Sequence, residues 1–208
     1  MNNLRNEHPD FTDPNHRWLE AEKVLFKSGT SQWVYKYARD IVEAPIPEVE
    51  KILVKRGDAS HLLGYLQYVK KDYQPNKWLE KVLLKNKNIT LILRYKRENL
   101  RGAEWPEADQ VALGKSVLEI IQYAADTKVK KGSWPEAEKI FLEQASKPGA
   151  AVMDYYLENY ILRVRKSPWP EAEKHLVEEG YTTDYLKKFP ERTEEIKRLR
   201  REQEKAHE

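Results

Sequence analysis

Apolar residues recur along the chain at the spacing of one helix face. Trp18, Ala21, Glu22, Leu25 and Phe26 fall at i, i+3, i+4, i+7 and i+8, with Glu22 the one polar member. Gly29 follows and is expected to stop that helix in a left-handed conformation. Ser31 is placed to cap a second helix with the stripe Trp33, Val34, Tyr37, Ala38, Ile41 and Val42, which ends before Pro45. One repeat is thus two short helices, A and B, joined by a turn. The pattern predicts A helices at 47–55, 78–84, 105–113, 134–145 and 169–179, each followed by a B helix. The turn of the third repeat, Asn86-Lys87-Asn88, places asparagines where the others have glycine, and Pro148-Gly149 separates the helices of the fifth.

The A helices open on related words. Trp105-Pro106-Glu107-Ala108-Asp109, Trp134-Pro135-Glu136-Ala137-Glu138 and Trp169-Pro170-Glu171-Ala172-Glu173 are near copies. Trp18 to Glu22 lacks the proline, Ile46 to Glu50 lacks the tryptophan, and Trp78-Leu79-Glu80 is the most eroded. Aligned on the first glutamate (20, 48, 80, 107, 136, 171), the spacings are 28, 32, 27, 29 and 35. A recurring period of this size marks a repeat array. The expected fold is all-α: an α-solenoid of about six two-helix repeats with a 27–35 residue period. Residues 1–16 read as a polar lead-in or cap, 17–190 as the array, and 191–208 as a charged helix or a disordered tail. If that tail is solvated, its deletion leaves thermal stability unchanged.

The repeated word has a mechanical reading. Proline suits the first helical turn, Ser133 and Glu136 have the spacing of a capping box, and the acids meet the positive end of the helix dipole. Trp18, Trp78, Trp105, Trp134 and Trp169 are expected to wedge between successive repeats as anchors. Tyrosines recur in the B helices (Tyr37, Tyr68, Tyr95, Tyr123, Tyr156, Tyr185) and suit a groove edge, packed or exposed.

Composition changes the picture in two ways. Charged residues are 34% of the chain, high for a globular domain but natural in a thin array with much wet surface. The balance of 37 basic and 34 acidic residues, net +3, is too even to imply a polyanionic partner by itself. Basic residues do gather late in the B helices: Lys70 and Lys71; Arg94, Arg97 and Arg101; Lys128, Lys130 and Lys131; Arg163, Arg165 and Lys166. Arg94, Arg97, Arg101, Lys130, Lys131, Arg163, Arg165 and Lys166 are the candidate partner-binding residues. A phosphate-binding ridge is one reading of them, and the preference of cations for helix C-termini is the other.

No catalytic constellation emerges. Cysteine is absent, which excludes disulfides and thiolate metal sites. The histidines (His8, His16, His61, His175, His207) lack metal-binding spacing, and no phosphate-cradling glycine loop or nucleophile elbow occurs. The paired acids repeat too often for an active site, which is normally single. The expectation is a non-enzyme without cofactor or metal. No run is long and apolar enough to span a membrane and no apolar signal core opens the chain, so a cytoplasmic location is expected.

The Trp-Pro-Glu-Ala-Glu words, with Tyr37-Ala38-Arg39-Asp40-Ile41-Val42 between them, resemble short helical repeats of proteins from large bacteriophages and other viruses. They are more loosely similar to tetratricopeptide arrays, whose consensus is not matched. The resemblance covers 17 to about 180 and weakens in the second and third repeats. It implies no activity of its own; it implies a protein of the infected host cytoplasm that binds another protein, host or self, including an inhibitor of a host defence factor. Nucleic-acid or nucleotide binding through the B-helix basic residues is the alternative.

Overall fold

A computed structural model describes residues 18–126, 132–147, 151–178 and 180–207, and all regular structure among them is helical. The lead-in at 1–16, Lys128, Lys130, Lys131 and the Pro148-Gly149 turn lie outside the described residues. The chain divides into two compact units, Met1–Leu100 and Arg101–Glu208, with the division between the third and fourth repeats.

In the N-terminal unit, α1 (Leu19–Ser28) pairs with α2 (Ser31–Lys36), α3 (Pro47–Lys55) with α4 (Ala59–Gly64), and α5 (Lys77–Asn86) with α6 (Ile89–Glu98). Successive hairpins stack A on A and B on B, through α1 against α3, α2 against α4 and α4 against α6. In the C-terminal unit α7 (Pro106–Leu113) pairs with α8 (Val117–Ala125), and α9 (Pro135–Ala145) with α10 (Ala151–Tyr160). There follow α11 (Pro170–Glu178), α12 (Thr183–Lys188), a 3₁₀ turn at Pro190–Arg192 and α13 (Thr193–His207). Contacts between successive hairpins include α8 with α10, α10 with α11, α9 with α11 and α11 with α13.

The B helices end in an unusual way. α2, α4 and α10 run directly into π-helical segments, Tyr37–Val42, Tyr65–Val69 and Ile161–Arg165. The i→i+5 bonds are explicit in Lys70 N–H to the Tyr65 carbonyl (3.0 Å) and Lys166 N–H to the Ile161 carbonyl (2.8 Å). The chain then leaves through a left-handed residue that is not glycine: Glu43, Lys71, Arg101 and Lys166, at φ of 52°, 53°, 51° and 57°. Each lies six residues after the same tyrosine position (37, 65, 95, 160), so the wide turn is part of the repeat.

Local capping corrects several expectations. Gly29 is extended, at φ −66° and ψ 153°, and its lack of a side chain matters because a Cβ would lie 2.5 Å from the Leu25 carbonyl oxygen. The cap of α2 is Thr30 rather than Ser31, its hydroxyl accepting from Trp33 N–H. In the third turn the left-handed residue is Lys87, and Asn88 instead caps α6. Ser133 and Glu136 form no capping box, because α9 starts one residue later with Trp134 at the N-cap. The box that forms is Ser116 with Glu119 in α8.

Of the two readings of residues 191–208, the helix is the one found. Ile196 on α13 is buried, and the Arg200 guanidinium donates to the hydroxyl of buried Thr182.

Candidate functional site

The most ordered chemistry in the molecule sits where each A helix begins, and it repeats. In the fifth repeat the Tyr160 hydroxyl accepts from Trp134 N–H (2.9 Å) and donates to Glu138 Oε1 (3.1 Å). Arg165 closes the group on Glu138 Oε2 at 2.7 Å. The sixth repeat copies it: Tyr185 accepts from Trp169 N–H and donates to Glu173, and Arg192 grips both Glu173 oxygens at 2.7 and 2.6 Å. Tyr123 donates to Asp109 (2.7 Å), Tyr95 to Glu80 (3.2 Å) and Tyr37 to Glu22 (2.9 Å). The backbone N–H of Ile46 and of Asn76 donates to the Tyr65 and Tyr95 hydroxyls, both at 2.6 Å, and Glu50 takes Lys70 as its cation at 2.9 Å.

The physical reason is the helix start. The first N–H groups of an A helix have no intrahelical acceptor, and the tryptophan or isoleucine at the N-cap of α1, α3, α7 and α9 has no side-chain oxygen to cap them. In the second, third, fifth and sixth repeats a tyrosine from the following B helix accepts from the N-cap N–H. The second acid of the motif accepts from that hydroxyl in the third, fifth and sixth, whereas Tyr65 donates to the Ile46 carbonyl (2.8 Å). Burial first, then the neighbouring acid, raises the Tyr123 hydroxyl well above its ordinary 10.0; Tyr95, Tyr160 and Tyr185 are raised by burial in the same way. Glu22, Glu80, Glu138 and Glu173 are themselves buried. Each arrangement is a lock between helices, with its polar atoms turned on one another.

This lock resets the repeat frame. Glu80 is bonded as a second acid, so Asn76-Lys77-Trp78-Leu79-Glu80 is the third copy of the motif, and spacings at that acid become 28, 30, 29, 29 and 35. Tyr65 and Tyr160 hold the lock positions expected for Tyr68 and Tyr156, which stand exposed and half-buried. A tyrosine 15 residues after the second acid in the first three repeats and 14 after it in the fourth is the signal that finds Tyr65; Tyr160, 22 residues after Glu138, departs from that spacing.

The tryptophans divide accordingly. Trp105, Trp134 and Trp169 are buried anchors, with Trp134 against the Tyr123 ring and Trp169 against Tyr160, centroids 5.8 Å apart in both pairs. Trp18 is 46% exposed, and Trp78 is 37% exposed because the frame puts it on the outer side of α5. Neither is a buried wedge. Trp134→Ala is expected to cost at least about 3 kcal/mol and Trp18→Ala about 1, measured by urea unfolding of the two variants.

The basic candidates do not converge. Arg94 donates to buried Gln67 (2.5 Å) and lies over the Tyr68 ring, while Gln67 also holds Asn99 at 2.8 Å. Arg165 belongs to the Glu138 lock and stacks over Trp169. These two are engaged within the fold. Arg97 and Arg163 are exposed, and Arg101 and Lys166 are exposed at the left-handed helix exits. Lys130 and Lys131 lie outside the described residues. His61 is paired with Asp58 at 2.9 Å and His175 with Glu178 at 3.7 Å. Among the described residues no group of three or more His, Asp or Glu is placed to hold a metal ion, and no helix is long and apolar enough to cross a membrane.

Several aromatic rings stand exposed, Trp18, Trp33, Tyr68, Tyr73, Trp78 and Tyr155 among them. Trp78 lies in a shallow depression with Pro47, Lys51, Val54 and Asn76 between α3 and α5. The equivalent position in every other copy is a glutamate: Glu20, Glu48, Glu107, Glu136 and Glu171. Comparison with protein-family models, with curated proteins and with solved structures returned no match.

Proposed function

We propose that the chain is a non-catalytic α-solenoid scaffold that binds another protein, with the depression around Trp78 as its principal contact. The single observation behind this is Trp78 itself. At a helix N-terminus an acid gains from the dipole by about 0.3–1 kcal/mol, and the third repeat gives that up for a large apolar ring left facing water. Repeats share what the scaffold needs; a ring that departs from the shared acid and stays exposed serves contact. Tryptophan is among the residues most enriched where protein interfaces carry their binding energy, and Lys51 beside it supplies a polar rim. The locks turn their own polar atoms inward, which favours binding over catalysis. On the resemblance of the repeats to phage proteins, the partner is a host factor, including one of a defence system, and the site of action is the infected cytoplasm.

Immobilised protein exposed to host lysate is expected to retain one stoichiometric protein. Trp78→Ala should weaken that retention about tenfold or more without changing the melting temperature. Failure to retain any protein, with turnover of a small molecule instead, would contradict the proposal. Retained nucleic acid, released steeply by salt, would favour the basic residues Arg97, Arg163 and Lys166 as the working surface.

A further inference from the structure

The A helices share one more charged position besides the two acids. The residue after the second acid is a lysine in five of the six copies: Lys23, Lys51, Lys81, Lys139 and Lys174. Four residues further on, the two units differ. In the fifth and sixth copies that place holds Glu143 and Glu178, and each reaches back to its lysine, at 3.9 and 4.0 Å. In the first three copies it holds Lys27, Lys55 and Lys85. Like charges one helical turn apart weaken a helix, where the opposite pair supports it. The N-terminal unit thus carries, in all three of its A helices, a strain that α9 and α11 avoid.

On α3 and α5 these lysines flank the Trp78 depression. Lys51, Lys55, Lys81 and Lys85 are exposed, and none of the four is paired with an acid among the described residues. The acids nearby are in use: Lys70 holds Glu50, Glu80 sits in the Tyr95 lock, and Glu48 is engaged as well. Lys51 and Trp78 line the same depression, with Pro47 and Val54 as its apolar part. Along α5, Trp78, Lys81 and Lys85 fall at i, i+3 and i+7, so the ring and the amines share a helix face. Between residues 51 and 100 the chain has 12 basic and 4 acidic residues, an excess that the net charge of +3 conceals. An apolar anchor point among amines fits a protein segment with carboxylates around an apolar side chain. Single-stranded nucleic acid is a poorer fit, because it stacks successive bases on rows of rings, and this depression has one ring beside aliphatic neighbours.

We propose that the face formed by α3 and α5 takes an acidic segment of the partner protein, its carboxylates on Lys51, Lys55, Lys81 and Lys85 and an apolar side chain against Trp78. This rests on the Trp78 contact proposed above and names the chemistry of what binds there. The probe is a short fluorescein-labelled peptide of glutamates with leucines at its centre, followed by anisotropy with the full chain. It should bind, and the same peptide with glutamine for every glutamate should bind about tenfold more weakly or worse. Lys55→Glu with Lys85→Glu gives α3 and α5 the charge spacing of α9 and α11. That double variant should keep or raise its melting temperature and lose about tenfold or more in affinity. Lys139→Glu with Lys174→Glu makes the same charge change at exposed positions of the other unit and should leave the affinity unchanged. A glutamine peptide bound as tightly as the acidic one, and released by Trp78→Ala, overturns the acidic partner while the Trp78 contact stands. An acidic peptide held equally well after Trp78→Ala overturns both. An acidic peptide that fails to bind, or that both double variants weaken alike, overturns the proposal too, as does oligothymidylate bound more tightly than the peptide.

Discussion

A chain ending at Pro190 is expected to be less stable than the full chain by about 4 kcal/mol, in urea unfolding followed by circular dichroism. Two losses make up that figure. Removing Arg192 strips the cation from Glu173, which is 1% exposed and keeps only the Tyr185 hydroxyl. Breaking one partner from a buried pair costs about 3–5 kcal/mol, reduced here because Arg192 itself is partly exposed. Removing α13 also takes away buried Ile196 and uncovers the surface that α13 seals on α11, worth about 2 kcal/mol. Arg192→Met in the full chain should reproduce about half of the loss. Lys197→Met should cost under about 0.5 kcal/mol, since its pair with Glu194 lies in water. Truncation without effect would mean that α13 is merely a solvated helix.

That outcome would restore the reading that the sequence invites. Residues 191–208 carry few apolar side chains, and nothing in their pattern says that Arg192 is owed to a buried acid nineteen residues earlier. Helix identity and order were legible because the apolar residues keep a 3.6 period, and prolines and glycines punctuate it. The dipole and the missing proline N–H explained why acids, and in four of the six copies proline, open the A helices. They did not distinguish the two acids. Glu136 is exposed at the dipole, whereas Glu138 is buried under a tyrosine and an arginine, and only three dimensions separate those roles.

The same blindness displaced the third frame by two residues. Trp78 looks like the motif tryptophan until Glu80 is seen bonded to Tyr95. It also made the basic residues look alike. Arg165 and Lys166 are adjacent in sequence, yet one lies inside a lock and the other projects from a left-handed exit. Tyr65 and Tyr68 were indistinguishable for a comparable reason: both are tyrosines of one B helix, and the turn that decides which faces inward is π-helical.

The locks give the molecule a marked sensitivity to base. Tyr95, Tyr123, Tyr160 and Tyr185 are fully buried, and each holds its proton more tightly folded than unfolded. For a folded value raised above the unfolded one, the stabilisation is complete below the unfolded value of 10.0 and is lost as pH climbs beyond it. Each such tyrosine removes up to about 1.4 kcal/mol per pH unit in that range, so four acting together remove about 5. A domain of ordinary stability does not survive two such units.

The decisive measurement is therefore a base titration that follows tyrosinate absorbance and helical circular dichroism together. If the recurring tyrosine and acid are locks of the scaffold, about a third of the 12 tyrosines ionise only as the helices melt, in one cooperative step above pH 10. Replacing Tyr160 and Tyr185 by phenylalanine should leave fewer tyrosines in that step. Smooth ionisation of all the tyrosines near their ordinary value, with the helices intact, would contradict the account at its centre.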